Sequence, residues 1–310
     1  MKKFIYRTII FIAIPLLPAF IIDGIISGSL RKYNEFFLVN WNDIYSGKLQ
    51  YDMLIMGSSR ALFQYSPAIL DSMLGVDSYN LGSDGRKIDT QILKYDTYRR
   101  FNRKPSYIIQ NVDIWTIGHS SGYCREQFFP YFFDDTLREK SSEIEHWSWA
   151  EKYIPSFRYI GYGKLVLQSL INKQSVSYVL TKGYYGNPDT LWDGSRIIPK
   201  TEIQYNWDIR ALSLFDSYLS KAKSENIKVI FVFAPFHILA MSKVKNVEEM
   251  FMKYDSIAKK YDIPVLNYTY DALSYDTAYF YNASHLNKRG SEIFTTKLAR
   301  DIDSLGLLKY

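Results

Sequence analysis

Short apolar segments alternate with amphipathic segments along most of this chain of 310 residues. The clearest apolar segment is IKVIFVFAP, residues 227–235, whose β-branched and aromatic residues are typical of a buried strand. The segment before it, residues 207–226, is amphipathic at helical spacing. Strands that alternate with helices of these lengths pair in parallel and carry helices on both faces of the sheet. The sequence therefore predicts an α/β fold, a three-layer doubly wound parallel sheet.

The same pattern gives approximate positions for the other elements. The predicted strands cover residues 51–57, 77–82, 105–115, 227–235 and 263–268. The predicted helices cover residues 66–74, 86–100, 207–226, 246–261 and 287–305. Ser66 and Pro67 provide a typical opening for the first of these helices.

Residues 116–206 interrupt this rhythm. The segment is rich in aromatic residues and contains FFPYFF, HWSW and KGYYGNPDTLWDG. Residues 157–172 could form one helix within it. We interpret the rest as a large insertion between two strands, folded over the top of the sheet, where insertions commonly shape a binding site or a lid.

The first 30 residues form a separate region with a basic start and a long apolar stretch. Lys2, Lys3 and Arg7 come first, and Thr8 to Ile22 then carries no charge. The apolar stretch from Phe4 to Ile26 is about the length that crosses a bilayer as a helix. Positive charges before such a stretch favour an inside N-terminus. We expect residues 1–30 to be a membrane anchor, with the bilayer as a partner, and residues 31–310 to be a single-pass protein's extracytoplasmic domain.

Two alternatives to an anchor remain open at this point. A cleaved signal peptide also has a basic start and a short apolar core, although Ser27-Gly28-Ser29 offers no A-x-A cleavage pattern. A buried globular helix is the other alternative, but Pro15 and Pro18 would disturb it. The anchor and the signal peptide both place the remaining chain outside the cytoplasm.

Composition argues against some classes of partner and site. The net charge is +6, but the basic residues are dispersed and form no arm of the kind that binds nucleic acid. Cys124 is the single cysteine, so the chain has neither an intrachain disulfide nor a multi-cysteine metal site. His119 and His146 have no supporting context, so no metal site is predicted. No motif calls for a cofactor.

Residues suited to catalysis or ligand binding follow the predicted strands. Ligands of open parallel sheets bind beyond the carboxyl ends of the strands, so residues at these ends are expected to share one edge. These residues are Ser58 and Ser59 after the first strand, Gly82 after the second, Asn111 and Asp113 after the third, His237 after the fourth, and Asn282 and His285 before the last helix.

Ser59 and His285 have the residue types of a nucleophile and its base. A serine hydroxyl needs a base within hydrogen-bond reach and a third group that orients the base. It also needs donors for the oxyanion that forms after attack. The sequence places a serine at a strand-to-helix turn, a late histidine, and Gly and Asn donors on neighbouring loops, which matches the logic of a Ser-His-Asp triad.

These motifs resemble the SGNH (GDSL-like) hydrolase superfamily, over roughly residues 50–115 and 227–304. The Gly-Asp-Ser block is similar to Gly57-Ser58-Ser59, which implies that Ser59 is the nucleophile. The oxyanion glycine of the family is similar to Gly82. Asn111 is the second oxyanion donor that the resemblance implies, with Asp113 as an alternative for that position. The resemblance also implies an SGNH or flavodoxin-like sheet.

The last block departs from the family at one position. The family's Asp-x-x-His is similar to Asn282-Ala283-Ser284-His285, so Asn282 stands where the orienting aspartate is expected. Three alternatives follow: the site works as a Ser-His dyad, Asp271 or Asp276 supplies a carboxylate, or activity is impaired. His237 is interpreted as a residue of the site wall.

The resemblance implies a membrane-tethered serine esterase or O-acyltransferase that acts on acyl esters of a cell-envelope glycan. Membrane-tethered relatives in the superfamily serve polysaccharide acetylation and teichoic-acid D-alanylation, so the expected partners are an envelope polysaccharide or an acyl donor. One alternative is a catalytically impaired protein that binds glycan or an assembly partner. A further alternative is a lipid esterase.

Overall fold

The computed structural model describes residues 1–120, 122–171, 181–186, 189–195 and 201–308. Five strands form one sheet, all parallel, in the order β2-β1-β3-β4-β5. These strands are β1 Met53–Met56, β2 Ser78–Asn80, β3 Tyr107–Asn111, β4 Lys228–Phe233 and β5 Val265–Asn267. The order is that of the flavodoxin-like doubly wound sheet. The predicted α/β class and the five predicted strands are confirmed.

Two short strands form an antiparallel hairpin apart from this sheet. They are β6 Phe280–Asn282 and β7 His285–Leu286. The twelve α-helices of the described residues are α1 Lys2–Leu30, α2 Phe36–Ser46, α3 Ser59–Gln64, α4 Pro67–Leu74, α5 Ile88–Phe101, α6 Asp135–Ser141, α7 Trp149–Tyr153, α8 Gly163–Leu170, α9 Ile209–Ser224, α10 Ile238–Met241, α11 Val247–Tyr261 and α12 Lys288–Ser304. Four 3₁₀ segments accompany them, at Arg125–Tyr131, Phe157–Tyr159, Ala272–Tyr275 and Thr277–Tyr279.

The predicted helices of the sheet region are present, with ends shifted by one or two residues. Five α-helices of the described residues were not predicted: α2, α3, which begins at Ser59, α6, α7 and α10. The single helix considered for residues 157–172 is wrong, because a 3₁₀ turn and α8 are separated around Gly161, whose φ is +89°. Residue 172 lies outside the described residues.

The chain forms two compact units. The first unit is Met1–Asn42 with Cys124–Tyr178, and the second unit is Asp43–Tyr123 with Val179–Tyr310. The second unit contains the whole sheet. Its central strands are buried along their length, as parallel strands covered on both faces must be. The described part of the insertion after residue 180 belongs to this second unit.

The first unit is organised around Trp41 and the 3₁₀ segment Arg125–Tyr131. The Trp41 indole N–H donates to Gln127 Oε1 at 2.8 Å, and its ring lies edge-on to Phe128 with 5.5 Å between centroids. Both aromatic rings are fully buried. This cluster gives the first unit an apolar core of its own.

Helix α1 occupies the residues predicted to form an anchor and continues through Pro15 and Pro18. Within the part of the chain that the structure describes, the length and hydropathy of the helices identify none that would cross a membrane. The membrane anchor and the extracytoplasmic location stay predictions.

Candidate active site

The loop after β1 carries Ser59 at the first position of α3. Gly57 ends the strand with φ +154°, and an added Cβ would lie 2.7 Å from Ala61 Cβ and 2.9 Å from Asn111 Cβ. Glycine is therefore required here, because the chain must turn sharply while it packs against the loop after β3. Ser58 is the N-terminal cap residue of α3, and Ser59 is half-buried.

The β6–β7 hairpin carries His285 to the same place. Gln64, at the end of α3, donates its Nε2–H to the Ser284 carbonyl at 3.2 Å. The Phe63 ring meets the His285 imidazole edge-on, with 5.1 Å between centroids. The helix that begins at the serine therefore also holds the loop of the histidine.

Ser59 and His285 are in hydrogen-bond contact. The distance from Ser59 Oγ to His285 Nε2 is 2.8 Å. The two residues are 226 positions apart in sequence, and the fold alone brings them together. This is the geometry that a serine nucleophile and its general base require.

Asn282 holds the other side of the imidazole and determines its tautomer. Asn282 Oδ1 accepts from the backbone N–H groups of Ser284 and His285, both at 3.0 Å. Because a backbone N–H can only donate, the side-chain atom at this point must be the oxygen of the amide. His285 Nδ1 lies 3.1 Å from the same oxygen and must therefore carry its proton. Nε2 is then unprotonated and accepts from the Ser59 hydroxyl.

Neither aspartate considered as a substitute for Asn282 has a hydrogen bond to His285. Asp271 caps Leu273 and pairs with Lys297. Asp276 Oδ1 accepts from the Ala278 N–H at 2.9 Å. Among the described residues, the hydrogen-bond partners of His285 Nδ1 are Asn282 Oδ1 and the Ser284 hydroxyl. The third position of the constellation therefore holds a neutral amide.

The electrostatic setting makes His285 a weak base that stays neutral. Burial lowers the pKa of the His285 imidazole to about 3, and the positive charge of Arg60 contributes to the shift. A carboxylate at the third position would oppose both effects by stabilising the imidazolium. Asn282 orients the ring and leaves its pKa low.

The two predicted oxyanion donors, Gly82 and Asn111, have different hydrogen-bond partners. Gly82 N–H donates to Asn80 Oδ1 at 2.8 Å, and a Cβ at Gly82 would lie 2.3 Å from the backbone nitrogen of Leu62. Gly82 is thus required for the close packing of the second strand's end against α3. Its one N–H has an internal acceptor.

Asn111 is fully buried beside the nucleophile loop. Its Oδ1 accepts from the Tyr65 hydroxyl at 2.8 Å, and its Nδ2 donates to Asp113 Oδ2 at 3.2 Å. An amide nitrogen carries two hydrogens, so this contact uses one of them. The residue type at Asn111 remains compatible with oxyanion binding.

Asp113 is the centre of a buried polar network. Its Oδ2 lies 3.4 Å from Ser58 Oγ and 3.7 Å from Arg60 Nη1, while its Oδ1 accepts from the Trp115 N–H at 2.8 Å. These contacts join the loops after β1 and β3. An anionic carboxylate has no hydrogen to offer an oxyanion, so Asp113 has the properties of a positioning group.

Arg60 was not singled out from the sequence, although it directly follows Ser59. Its guanidinium donates to the carbonyls of Ala234 and Pro235, the latter at 3.0 Å, and stacks over the Phe236 ring. It thereby fixes the loop after β4 to the start of α3. In the sequence, Arg60 stands out as the one charged residue among the small residues of this strand-to-helix turn.

His237 packs against the β6–β7 hairpin, and its assignment to the site wall stays a prediction. It is buried, its Nδ1 accepts from the Leu239 N–H at 3.2 Å, and its ring lies edge-on to Trp192 and Phe280. Burial lowers the pKa of its imidazole. Its capping bond and aromatic neighbours account for its position behind the hairpin.

Aromatic residues that the sequence did not assign to the site lie around the hairpin. Tyr185 donates its N–H to the Leu62 carbonyl at 3.0 Å, and its ring packs edge-on to Phe63. Trp192 donates its N–H to the Phe280 carbonyl at 3.2 Å. Both come from the part of the aromatic insertion after residue 180, and these two residues contact the elements that carry Ser59 and His285.

Comparison with known proteins gives structural neighbours of one kind. No family model and no curated protein matches the chain. A protein assigned to the G-D-S-L lipolytic family from Desulfitobacterium hafniense DCB-2 is 13% identical with a TM-score of 0.42, over 80% of this chain and 97% of its own. A GDSL-like lipase from Bacteroides thetaiotaomicron VPI-5482 is 12% identical with a TM-score of 0.42, over 87% of this chain and 99% of its own.

A third structure, described as a candidate acylhydrolase from Bacteroides fragilis NCTC 9343, is 12% identical with a TM-score of 0.38, over 82% of this chain and 86% of its own. These neighbours are of the GDSL-like kind that the sequence motifs resemble. At such identities and TM-scores the similarity carries no information on substrate or activity. The functional conclusion rests on the geometry of Ser59, His285 and Asn282.

Proposed function

We propose that this protein is a serine esterase or O-acyltransferase in which Ser59 attacks a carboxylic ester. The observation that carries the proposal is the 2.8 Å contact between Ser59 Oγ and an imidazole nitrogen whose partner atom is protonated. His285 Nε2 takes the hydroxyl proton as Ser59 Oγ bonds to the acyl carbon, and the same proton then leaves with the alcohol. The product of this half-reaction is an acyl-Ser59 ester.

In the second half-reaction His285 acts as a base again. It removes a proton from water, which gives hydrolysis, or from a second hydroxyl, which gives transfer. We assign the Ser59 N–H and the second hydrogen of the Asn111 amide as the oxyanion donors. Gly82 is not assigned this role, because its N–H is bonded to Asn80. Arg60 and Asp113 hold the loops that carry these groups.

Asn282 orients the imidazole in this mechanism without stabilising its charge. In serine proteases the change of the orienting aspartate to asparagine costs about 10⁴ because the wrong tautomer results. Here the two backbone N–H groups of Ser284 and His285 hold the amide oxygen toward Nδ1, which avoids that loss. The remaining cost is the missing negative charge.

We further propose acyl esters of a cell-envelope glycan as the substrate class, with the chain tethered to a membrane outside the cytoplasm. The resemblance of the motifs to the superfamily supports this choice. Exposed Tyr281, next to Asn282, adds an aromatic face of the kind that sugars contact. A lipid esterase remains the alternative substrate assignment, and a series of p-nitrophenyl esters of increasing chain length separates the two.

A fluorophosphonate probe tests the serine assignment directly. We expect covalent labelling of the full chain, loss of labelling in Ser59→Ala, and retained labelling in Ser58→Ala. Ser58 is the matched control because it is the neighbouring serine, and its hydroxyl lies toward Asp113. Equal labelling of Ser59→Ala and the unmodified chain, or hydrolysis of p-nitrophenyl acetate at an unchanged rate, would contradict the assignment of Ser59.

A second function is favoured by the internal bond of the Gly82 N–H and by the neutral third residue. A protein that keeps the fold but lost turnover would bind a glycan or an assembly partner through the same edge of the sheet. It would show no labelling by the probe and unchanged glycan binding in Ser59→Ala.

A further inference from the structure

Several polar side chains of α1 bond to other segments of the first unit. Asp23 Oδ2 pairs with Arg158 Nη2 at 2.7 Å, and Asp23 Oδ1 accepts from the Ser156 N–H at 2.7 Å. Arg158 is 7% exposed and also donates to the Phe129 carbonyl. An ion pair is thus enclosed between α1 and the segment around residue 158.

Hydroxyl groups continue this polar seam toward the end of α1. Ser27 Oγ lies 2.7 Å from the Tyr159 hydroxyl, and Ser29 Oγ lies 2.8 Å from Ser169 Oγ of α8. Ser27 and Ser169 are buried. The contact between α1 and its neighbours is therefore made through hydrogen bonds and one ion pair, in addition to apolar packing.

Other side chains that the same elements expose are large and apolar. We define the outer apolar face as Leu17, Phe20, Ile25, Ile160, Leu167 and Ile171, each between 56% and 68% exposed. None of these six residues can be charged. Three come from α1, and three come from the segment that contains α8.

Buried polar contacts beside exposed apolar side chains are the reverse of the arrangement found in water-soluble proteins. A helix at the surface of a water-soluble protein turns its apolar stripe inward and its polar residues outward. In lipid, ionisable residues face the interior and pair with one another, and serine hydroxyls bond across helices. Contiguous exposed apolar surface on several elements also marks an interaction site.

We propose that the outer apolar face is inserted into a lipid bilayer, so that residues 160–171 hold the chain on the membrane together with α1. Lys3 and Arg7 are exposed at the start of the same helix and complement anionic headgroups. Trp149 and Tyr153 are exposed in the same unit, and such amphipathic rings favour the bilayer interface. Lys164, exposed on α8 two turns before Ile171, adds to the basic flank, and an apolar face with basic flanks fits anionic lipid better than a protein partner of mixed charge.

The proposal goes beyond an N-terminal anchor because it assigns lipid contact to α8 and to Ile160, at least 130 residues after the end of α1. It does not depend on catalysis by Ser59. A chain without esterase activity would show the same membrane contact, and an active chain could lack it.

Spin labels on the full chain test the assignment. Cys124→Ser provides a background without cysteine, into which Ile160→Cys, Leu167→Cys and Ile171→Cys are introduced one at a time. The matched controls are Leu214→Cys on α9 and Ile293→Cys on α12, exposed apolar residues of the second unit. Each labelled protein is reconstituted into vesicles of phosphatidylcholine with phosphatidylglycerol, and a thermal melt verifies its fold.

Collision with molecular oxygen reports lipid, and collision with a water-soluble nickel chelate reports water. We expect labels at 160, 167 and 171 to be accessible to oxygen and protected from nickel, and both controls to be accessible to nickel. Nickel access at 167 and 171, with a label at Phe20→Cys protected, would overturn the proposal and leave α1 alone in contact with lipid. Protection of all sites including the controls would also overturn it, since the face would then not be selective.

Discussion

The two halves of the candidate site are built in different ways. The base half, Asn282 to His285, is oriented within itself by hydrogen bonds that span at most three residues, and Gln64 of α3 holds it beside Ser59. The oxyanion half has donors that are already bonded, since Asn80 Oδ1 accepts the Gly82 N–H and Asp113 Oδ2 accepts one Asn111 amide hydrogen, each from two residues away. Proton transfer is thus prearranged, while oxyanion binding relies on the Ser59 N–H and one remaining hydrogen of the Asn111 amide.

The largest expected effect is in the base half. His285→Ala should lower kcat/KM for p-nitrophenyl acetate by about 10³- to 10⁴-fold, because Ser59 loses the group that accepts its proton. The matched control is His146→Ala, an exposed histidine of the first unit, which should leave the rate unchanged. Turnover of His285→Ala at near the original rate would show that the base half does not carry the proton transfer.

The next effect is in the oxyanion half. Asn111→Ala should lower kcat by about 10²- to 10³-fold, the usual cost of one oxyanion donor. It should also lower the free energy of unfolding by about 1–3 kcal/mol, since Tyr65 and Asp113 lose a buried partner. Steady-state kinetics and urea unfolding measure the two effects separately.

Tyr65→Phe is the control that separates these two effects. It removes the bond to Asn111 Oδ1 and leaves the amide nitrogen in place. We expect a comparable loss of stability, about 1–3 kcal/mol, with kcat lowered by no more than about threefold. Equal losses of kcat in both variants would show that Asn111 acts through packing alone.

A smaller effect, of opposite sign, is expected at the third residue. Asn282→Asp should raise the pKa of His285 from about 3 toward its ordinary value, because the carboxylate stabilises the imidazolium. The same interaction lowers the barrier, and we expect kcat at neutral pH to rise on the order of tenfold. Asn267→Asp is the matched control, since Asn267 caps Thr269 in the same way on an exposed turn.

The pH profile gives this prediction a second measurement. A general base works only when unprotonated, so activity is present above its pKa and is lost as the pH falls through it. The unmodified chain should keep its kcat/KM down to about pH 4, while Asn282→Asp should lose activity between about pH 7 and 5. Short incubations are needed, because a histidine with a lowered folded pKa destabilises the fold as the pH falls below its ordinary value. Superimposable profiles would show that residue 282 does not control the base.

The smallest expected effect concerns Asp276, one of the two carboxylates considered as a substitute for Asn282. Asp276→Asn should change kcat by less than about twofold, because an asparagine oxygen can still accept from the Ala278 N–H. A loss of more than about tenfold, measured with the same ester and an unchanged melting temperature, would place Asp276 in the catalytic machinery.

Local patterns made the fold and the base half predictable from the sequence. The five strands are short apolar runs, and the spacing of Asn282 and His285 lies within one turn. The oxyanion half was less predictable, because an asparagine two residues before Gly82 does not by itself show that its side chain accepts the Gly82 N–H. Helix α3 was missed because six residues are too few for a periodic pattern, and Arg60 went unassigned because its partners, Ala234 and Pro235, are more than 170 residues away.

The neutral residue at Asn282 also bears on where the base can work. Anionic headgroups concentrate protons, so a surface potential as large as the roughly −30 mV of a cytoplasmic leaflet would lower the local pH by about half a unit. A histidine that titrates near neutrality would lose part of its active form in that layer. With its pKa lowered to about 3, His285 would keep the free imidazole there. In a chain held on such a surface, the base would stay unprotonated despite the lower pH near the headgroups.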